Sequence, residues 1–290
     1  MDTTVTIKKK RKKFKLSSFI LMLLITLLAI FFVMPLYWMI VGSFRDMVGS
    51  MATPQLIPLE PTLDNYRTLF TINYPVVRWM FNSLFIAVVT TVLSVLLCCM
   101  MGYSFGKKTF PGKNLLFMLV IVTMMLPKQA SLIPLFITVR DMGLVNNLFG
   151  AILPVISWPY GIFLMRQFMQ NVPDELIEYA RIEGAGEIRI FSQILIPLVK
   201  PAISTLAILM FMTSWGDFMW QLIVLKKTEL WTMNVGMSVI MKNPVGGTVS
   251  IIDYGLAMAG ATFGAIPVIA LFIAFQKNFI QGITLGAVKE

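Results

Sequence analysis

Residues 173–197 read Pro-Asp-Glu-Leu-Ile-Glu-Tyr-Ala-Arg-Ile-Glu-Gly-Ala-Gly-Glu-Ile-Arg-Ile-Phe-Ser-Gln-Ile-Leu-Ile-Pro. Five acidic residues fall in this stretch: Asp174, Glu175, Glu178, Glu183 and Glu187. Pro173 suits the first position of a helix, and Asp174 and Glu175 suit the positive end of its dipole. Ile177, Ala180 and Gly184 recur at helical spacing beside Leu176, so one face is smooth and the other charged. Gly184-Ala185-Gly186 allows a sharp bend. A second short helix is predicted through Ile188, Phe191 and Ile194-Leu195, with Pro197 as its stop. Two short helices around a glycine bend, with apolar runs on both sides, point to a docking element rather than a core.

The surrounding chain is of a different character. Of its 290 residues 57% are hydrophobic and 13% charged, and the mean hydropathy is +0.80. That composition indicates a membrane protein. The absence of histidine excludes His-based acid–base catalysis, Ser-His-Asp triads and His metal sites. Cys98 and Cys99 are adjacent in an apolar run, which gives neither a disulfide framework nor metal-ligand spacing. No carboxylate pair stands at helical spacing inside a span, which argues against an intramembrane enzyme.

Runs free of charge mark the spans, each long enough for a bilayer core of roughly 20 residues. The sequence predicts six helices, at 17–42, 79–105, 114–138, 147–168, 201–225 and 255–280. The third contains Lys128 and the fifth Asp217. With the N-terminus inside, sixteen of the 24 Lys and Arg residues fall on the cytoplasmic side. They are Lys8, Lys9, Lys10, Arg11, Lys12, Lys13 and Lys15 of the tail, Lys107, Lys108 and Lys113, Arg166, Arg181, Arg189 and Lys200, and Lys277 and Lys289. The positive-inside rule therefore predicts an N-in, C-in topology with the 173–197 element in the cytoplasm. Residues 1–15 read as a topogenic tail facing lipid headgroups, with no nucleic-acid role. The following apolar run exceeds a signal-peptide core and lacks a small-x-small cleavage site, so it is expected to remain as the first span. The expected fold is an all-α membrane protein: the tail 1–15, a transmembrane domain over 16–290, and a docking loop at 170–197 between the fourth and fifth helices.

The same stretch carries a resemblance. Glu178-Tyr179-Ala180, Gly184, Ile194 and Ile196-Pro197 are similar, at matching spacing, to the Glu-Ala-Ala loop of ABC importer permeases. Tyr179 and Ile196 stand where that motif has Ala and Leu. Ser157-Trp158-Pro159-Tyr160-Gly161, continuing to Gln170, resembles the sugar-specific branch, the maltose-type carbohydrate permeases. Residues 45–78 and 226–254 resemble the family's external loops, and 282–289 its closing tail. The resemblance implies docking of an ATPase at Glu178, Tyr179, Ala180, Gly184, Ile194 and Pro197. Glu178 would anchor the docking helix by an ion pair, and Gly184 would permit close backbone approach. It also implies a second homologous permease, two ABC ATPase subunits and an extracellular solute-binding protein, in a bacterial cell membrane. The chain has no GxxxxGK[ST] phosphate loop, so no cofactor is expected here and ATP with magnesium belongs to the partner ATPases.

A substrate path is sought among polar and aromatic residues within spans: Asn82, Lys128, Gln129, Tyr160, Trp215, Asp217, Trp220 and Gln221. Aromatic faces stack on sugar rings, while carboxylates and amides bind hydroxyls. Each residue has a plainer reading. Asn82 joins helices through hydrogen bonds. Lys128, beside Pro127, lines a pore or snorkels to an interface. Asp217 lines a path or bonds another helix within an aromatic belt. The residues 45–78 touch a binding protein or cap the bundle. The expected function is the permease subunit of an ATP-driven sugar or oligosaccharide importer. A glycerol-phosphate-type ABC permease, or an ATP-independent channel or secondary transporter, are the alternatives.

Overall fold

The computed structural model describes residues 16–46, 56–241 and 253–287. The basic tail 1–15, Pro54, the loop 243–248 and Val288-Lys289 lie outside the described residues. The chain opens with α1 (Leu16–Ser43), a short α2 (Asp64–Thr71) and the long α3 (Val76–Lys107). Then follow α4 (Lys113–Met125), α5 (Lys128–Asp141), α6 (Leu148–Ile152) and α7 (Pro159–Gln170). The docking stretch holds α8 (Asp174–Ile182), α9 (Glu187–Arg189), π-helical turns over Ile190–Leu195, and α10 (Ile196–Leu198). The last part comprises α11 (Lys200–Trp215), α12 (Met219–Val224), α13 (Met233–Ile240) and α14 (Tyr254–Ala287).

Among the described residues, three helices are long and apolar enough by themselves to cross a bilayer: Ser17–Ser43, Val76–Lys107 and Tyr254–Gln276. The count reaches six when three bent pairs are each taken as one span. Local sequence explains the bends. Leu126 precedes Pro127 and is extended (ψ 127°), as the ring of a following proline requires. The axes of α4 and α5 therefore diverge by 107°. Trp158 precedes Pro159, is extended likewise (ψ 103°), and follows a 3-10 turn at Leu153–Val155. The segments Leu148–Val155 and Pro159–Gln170 meet at 46°. Pro134 stays inside α5 without ending it.

Two expectations need correction. The fifth span is not one helix over 201–225: α11 stops at Trp215 and α12 begins at Met219. Polar side chains between them bond locally in competition with the helical ladder. The Trp220 amide donates to Asp217 Oδ1 (3.4 Å), and Gln221 Nε2 donates to the Ser214 carbonyl (3.1 Å). Nor does Pro197 stop the second docking helix. Helix continues through it to Leu198 and then turns by 81° into α11. The wide π turns before Pro197 accommodate a ring that α geometry would press against the preceding turn.

The helix α3 is the spine. It contributes Cys98, Cys99, Tyr103 and Phe105 to a core shared with α7, α8 and the π turns. It contributes Val76, Trp79 and Met80 to a second core with α13 and α14. Its Ile86 belongs to a third with α6 and α12. Contact with α7 is close because Gly102 lacks a side chain: a Cβ there would lie 2.6 Å from Met165 Cβ. By contrast α1 leans on α14 and leaves Phe31 and Phe32 72% exposed, a surface that only lipid or another apolar chain can cover.

Candidate docking surface and membrane cleft

The docking element begins at Pro173, which stands one residue before α8 and puts Asp174 and Glu175 in its first turn. Two of its apolar residues turn inward: Ile177 and Ala180 are buried against α3, α7 and the π turns. Others turn outward. Tyr179 is 68% exposed, Ile182 81% and Ile188 84%. Among them stand the exposed carboxylates Glu175, Glu178 and Glu183. Exposed isoleucines in an acidic setting form a contact surface that the chain itself does not cover.

Gly184 ends α8 with φ +80°. The Gly184 amide donates to the Arg181 carbonyl (3.0 Å) and the Ala185 amide to that of Ala180 (2.9 Å). This is a left-handed C-terminal turn, which favours glycine. Nothing in the chain lies within 4 Å of a Cβ at Gly184, so the position is open on its outer side. The requirement here is backbone conformation.

Of the six docking residues read from the sequence, Glu178, Tyr179, Gly184 and Pro197 are exposed. Ala180 is buried, and Ile194 is half-buried against the chain's own core. These two shape the element from beneath. The anchor beneath it was missed. Lys107 Nζ, on a side chain only 5% exposed, donates to Asp174 Oδ1 (2.7 Å), to the Gln170 carbonyl (3.4 Å) and to the Val172 carbonyl. A buried ammonium is costly unless so satisfied. Beside it, Glu187 pairs with Lys108, accepts from Tyr103 Oη, and meets Arg181 NH2 at 3.3 Å. The hydrogen bond from Lys108, then that from Tyr103, holds the Glu187 carboxyl below its ordinary range. The only sequence signal was a basic pair ending a span, which the positive-inside reading had already absorbed.

A second feature lies among the helix breaks. A cleft of about 590 Å³ is lined by Lys128, Gln129, Asp217 and Trp220. It thus gathers four of the eight path candidates. Ser131, Ser157, Trp158 and Thr213 also line it and were not among the candidates. The other four candidates lie elsewhere. Asn82 is buried and donates to the carbonyls of Glu229 and Trp231, both at 2.9 Å, so it is a packing residue. Gln221 is buried, bonded to Ser214 and to Thr232 Oγ1 (2.6 Å). Trp215 stacks on Phe211 and faces a separate apolar groove against α14. Tyr160 packs on Trp158 with the rings tilted at 54°, outside the cleft lining. Residue type could not separate these eight; the fold did.

Comparison with known proteins agrees with this picture. Residues 94–285 match the family of binding-protein-dependent transport system inner membrane components. The arabinooligosaccharides transport system permease protein AraQ of Bacillus subtilis is 34% identical over 280 residues, covering 96% of this chain and 98% of that one. The maltodextrin transport system permease protein MdxG of the same organism is 34% identical, covering 92% and 94%. A solved bacterial ABC transporter involved in the import of the acidic polysaccharide alginate has the same fold. Its chain superposes with a TM-score of 0.79 at 22% identity, covering 93% of this chain and 100% of that one. The multi-pass helical architecture, the match over residues 94–285 and the 34% identity to AraQ place the chain in the binding-protein-dependent transport system inner membrane component family.

Proposed function

We propose that the chain is a permease subunit of an ATP-driven sugar or oligosaccharide importer, forming half of a translocation path. The carrying observation is the docking element: an exposed apolar and acidic surface, fixed to the spine helix α3 by buried Lys107. Such a surface has a purpose only if a partner seats on it, and an ATP-independent channel has no use for it. Sugar as cargo is supported by similarity to permeases named for oligosaccharide transport. ATP and magnesium are held by two partner ATPases, since this chain has no phosphate loop of its own. A second homologous permease completes the path, and an extracellular solute-binding protein delivers the cargo. The charge distribution supports an N-in, C-in topology, which puts the 170–197 loop beside the ATPases. Closure of the ATPases on ATP moves the docking element. The spine helix then rocks the bundle between inward-open and outward-open states.

The test is purification from the native membrane in mild detergent, with identification of what accompanies the chain. The expected companions are an ABC ATPase, a second six-span permease and a binding protein. Recovery of the chain alone, as an oligomer that moves solute without ATP, would overturn the reading.

A further inference from the structure

We infer that the cleft among the helix breaks is a subsite for uncharged saccharide units, contributed by this subunit itself. The inference rests on the sugar-importer reading and adds the class of sugar and the groups that meet it. Three interruptions converge on one place. Leu126 and Lys128 flank the break of the third span, Val155 and Trp158 that of the fourth, and Gly216 and Asp217 follow α11; all six line the same cleft. Non-helical backbone at membrane depth is tolerated where it lines a cavity, and broken helices commonly mark the solute site of a membrane transporter. Some freed backbone groups are satisfied from the spine: Ser94 Oγ donates to the Ile156 carbonyl (2.8 Å). The indole N–H of Trp220, a cleft residue, is buried and has no acceptor among the described residues.

The lining is balanced in charge. Its charged side chains are one cation, Lys128, and one carboxylate, Asp217. Neither makes an ion pair with any described residue. The backbone is balanced as well. The break between α4 and α5 brings the carbonyl end of one helix to the amide end of the next. Carbonyl ends carry partial negative charge and amide ends partial positive, so the dipoles offset one another. A site built this way offers donors and acceptors without a net field. Hydroxyl groups, each both donor and acceptor, match it. A uronate carboxylate does not, because it meets Asp217 and gives up its own hydration without a net opposite charge. Trp158 supplies a half-exposed aromatic face for the apolar side of a sugar ring.

The experiment uses the complete transporter, co-purified from the native membrane and placed in proteoliposomes. ATP-dependent uptake is measured for neutral tri- and tetrasaccharides of arabinose, galactose and glucose, and for trigalacturonate. The expected result is uptake of a neutral member and none of the uronate. For that member, Asp217→Asn and Lys128→Gln are each expected to raise the KM for uptake about tenfold, the effect of losing one charge-assisted hydrogen bond. The double variant, balanced again, is expected to lie closer to wild type than the product of the single effects. Retention of the partner subunits by each variant shows that it folds. A second readout needs no turnover: a cysteine at position 157, from Ser157→Cys, is expected to react with a small maleimide and to be protected by the neutral sugar but not by trigalacturonate. Uptake of the uronate, or an unchanged KM in both single variants, overturns the subsite. Absence of ATP-dependent uptake for every sugar overturns the importer reading, and the subsite with it.

Discussion

Gly184 and Lys107 show how much a single position decides. At 184 the backbone itself favours glycine, with φ +80°, and no other residue of the chain crowds the position. Gly184→Val is expected to cost the α8 turn about 1–2 kcal/mol, the penalty of a left-handed conformation for a side chain with a Cβ. The chain should still insert, while ATPase retention during purification falls. Retention at wild-type levels would show that the turn does not serve docking. Lys107→Met keeps the aliphatic volume and removes three hydrogen bonds. Leaving the part-buried Val172 carbonyl unpaired is expected to cost about 1–3 kcal/mol. Amide exchange across 170–176 should quicken, and less sugar should move per ATP hydrolysed, with Lys107→Arg recovering part of both. Glu187 carries a pH dependence. Its folded pKa lies below the ordinary 4.5, so the stability it adds is complete above that value and is lost as pH falls through the lowered one. Amide exchange over 183–190 in wild type should therefore rise on acidification below about pH 4.5, and in Glu187→Gln it should not.

At the scale of elements, prolines set the shape. Pro127 and Pro159 each force the residue before them into extended backbone, and these two residues head α5 and α7. The break at Pro159 lies in the cleft wall and joins it to the docking element, since α7 leads straight into the 170–197 loop. Pro159→Ala is expected to straighten this break and to lower coupled uptake while the partners still co-purify. Fully normal uptake would show that the kink transmits nothing. The π turns before Pro197 show the reverse case: a proline that the sequence marks as a stop is carried inside a helix by a change of pitch. Helical periodicity and breaker residues place the interruptions, but they do not state the angle at each. That angle, 107° at one proline and 46° at another, depends on what each half-helix packs against.

At the scale of the molecule, the proposed topology predicts accessibility. A cysteine at 188, from Ile188→Cys, should react with a membrane-impermeant reagent only after the cytoplasmic side is opened. A cysteine at 229, from Glu229→Cys, should react in intact cells. The native Cys98 and Cys99 are buried and give little background. The reverse pattern would invert the bundle and remove the docking loop from the ATP side. The apolar exterior of α1 and the groove between α13 and α14 are consistent with a bundle that meets both lipid and a second permease.

The sequence by itself determined the helical membrane class, the approximate positions of the spans and the spacing of the docking motif. Those follow from local properties: runs without charge, breaker residues, and helical spacing along one segment. It could not tell that Ala180 and Ile194 face inward while Ile182 and Ile188 face out, nor that Lys107 lies under the docking helix. It also offered eight polar and aromatic path residues of equal standing. Only tertiary packing separated them, because Asn82 found backbone partners far along the chain and Gln221 was taken up by Ser214 and Thr232, whereas Lys128 and Asp217, 89 positions apart, came to face one cleft. Contacts between residues distant in sequence are set by how the broken helices fold back on the spine, and no local pattern encodes them.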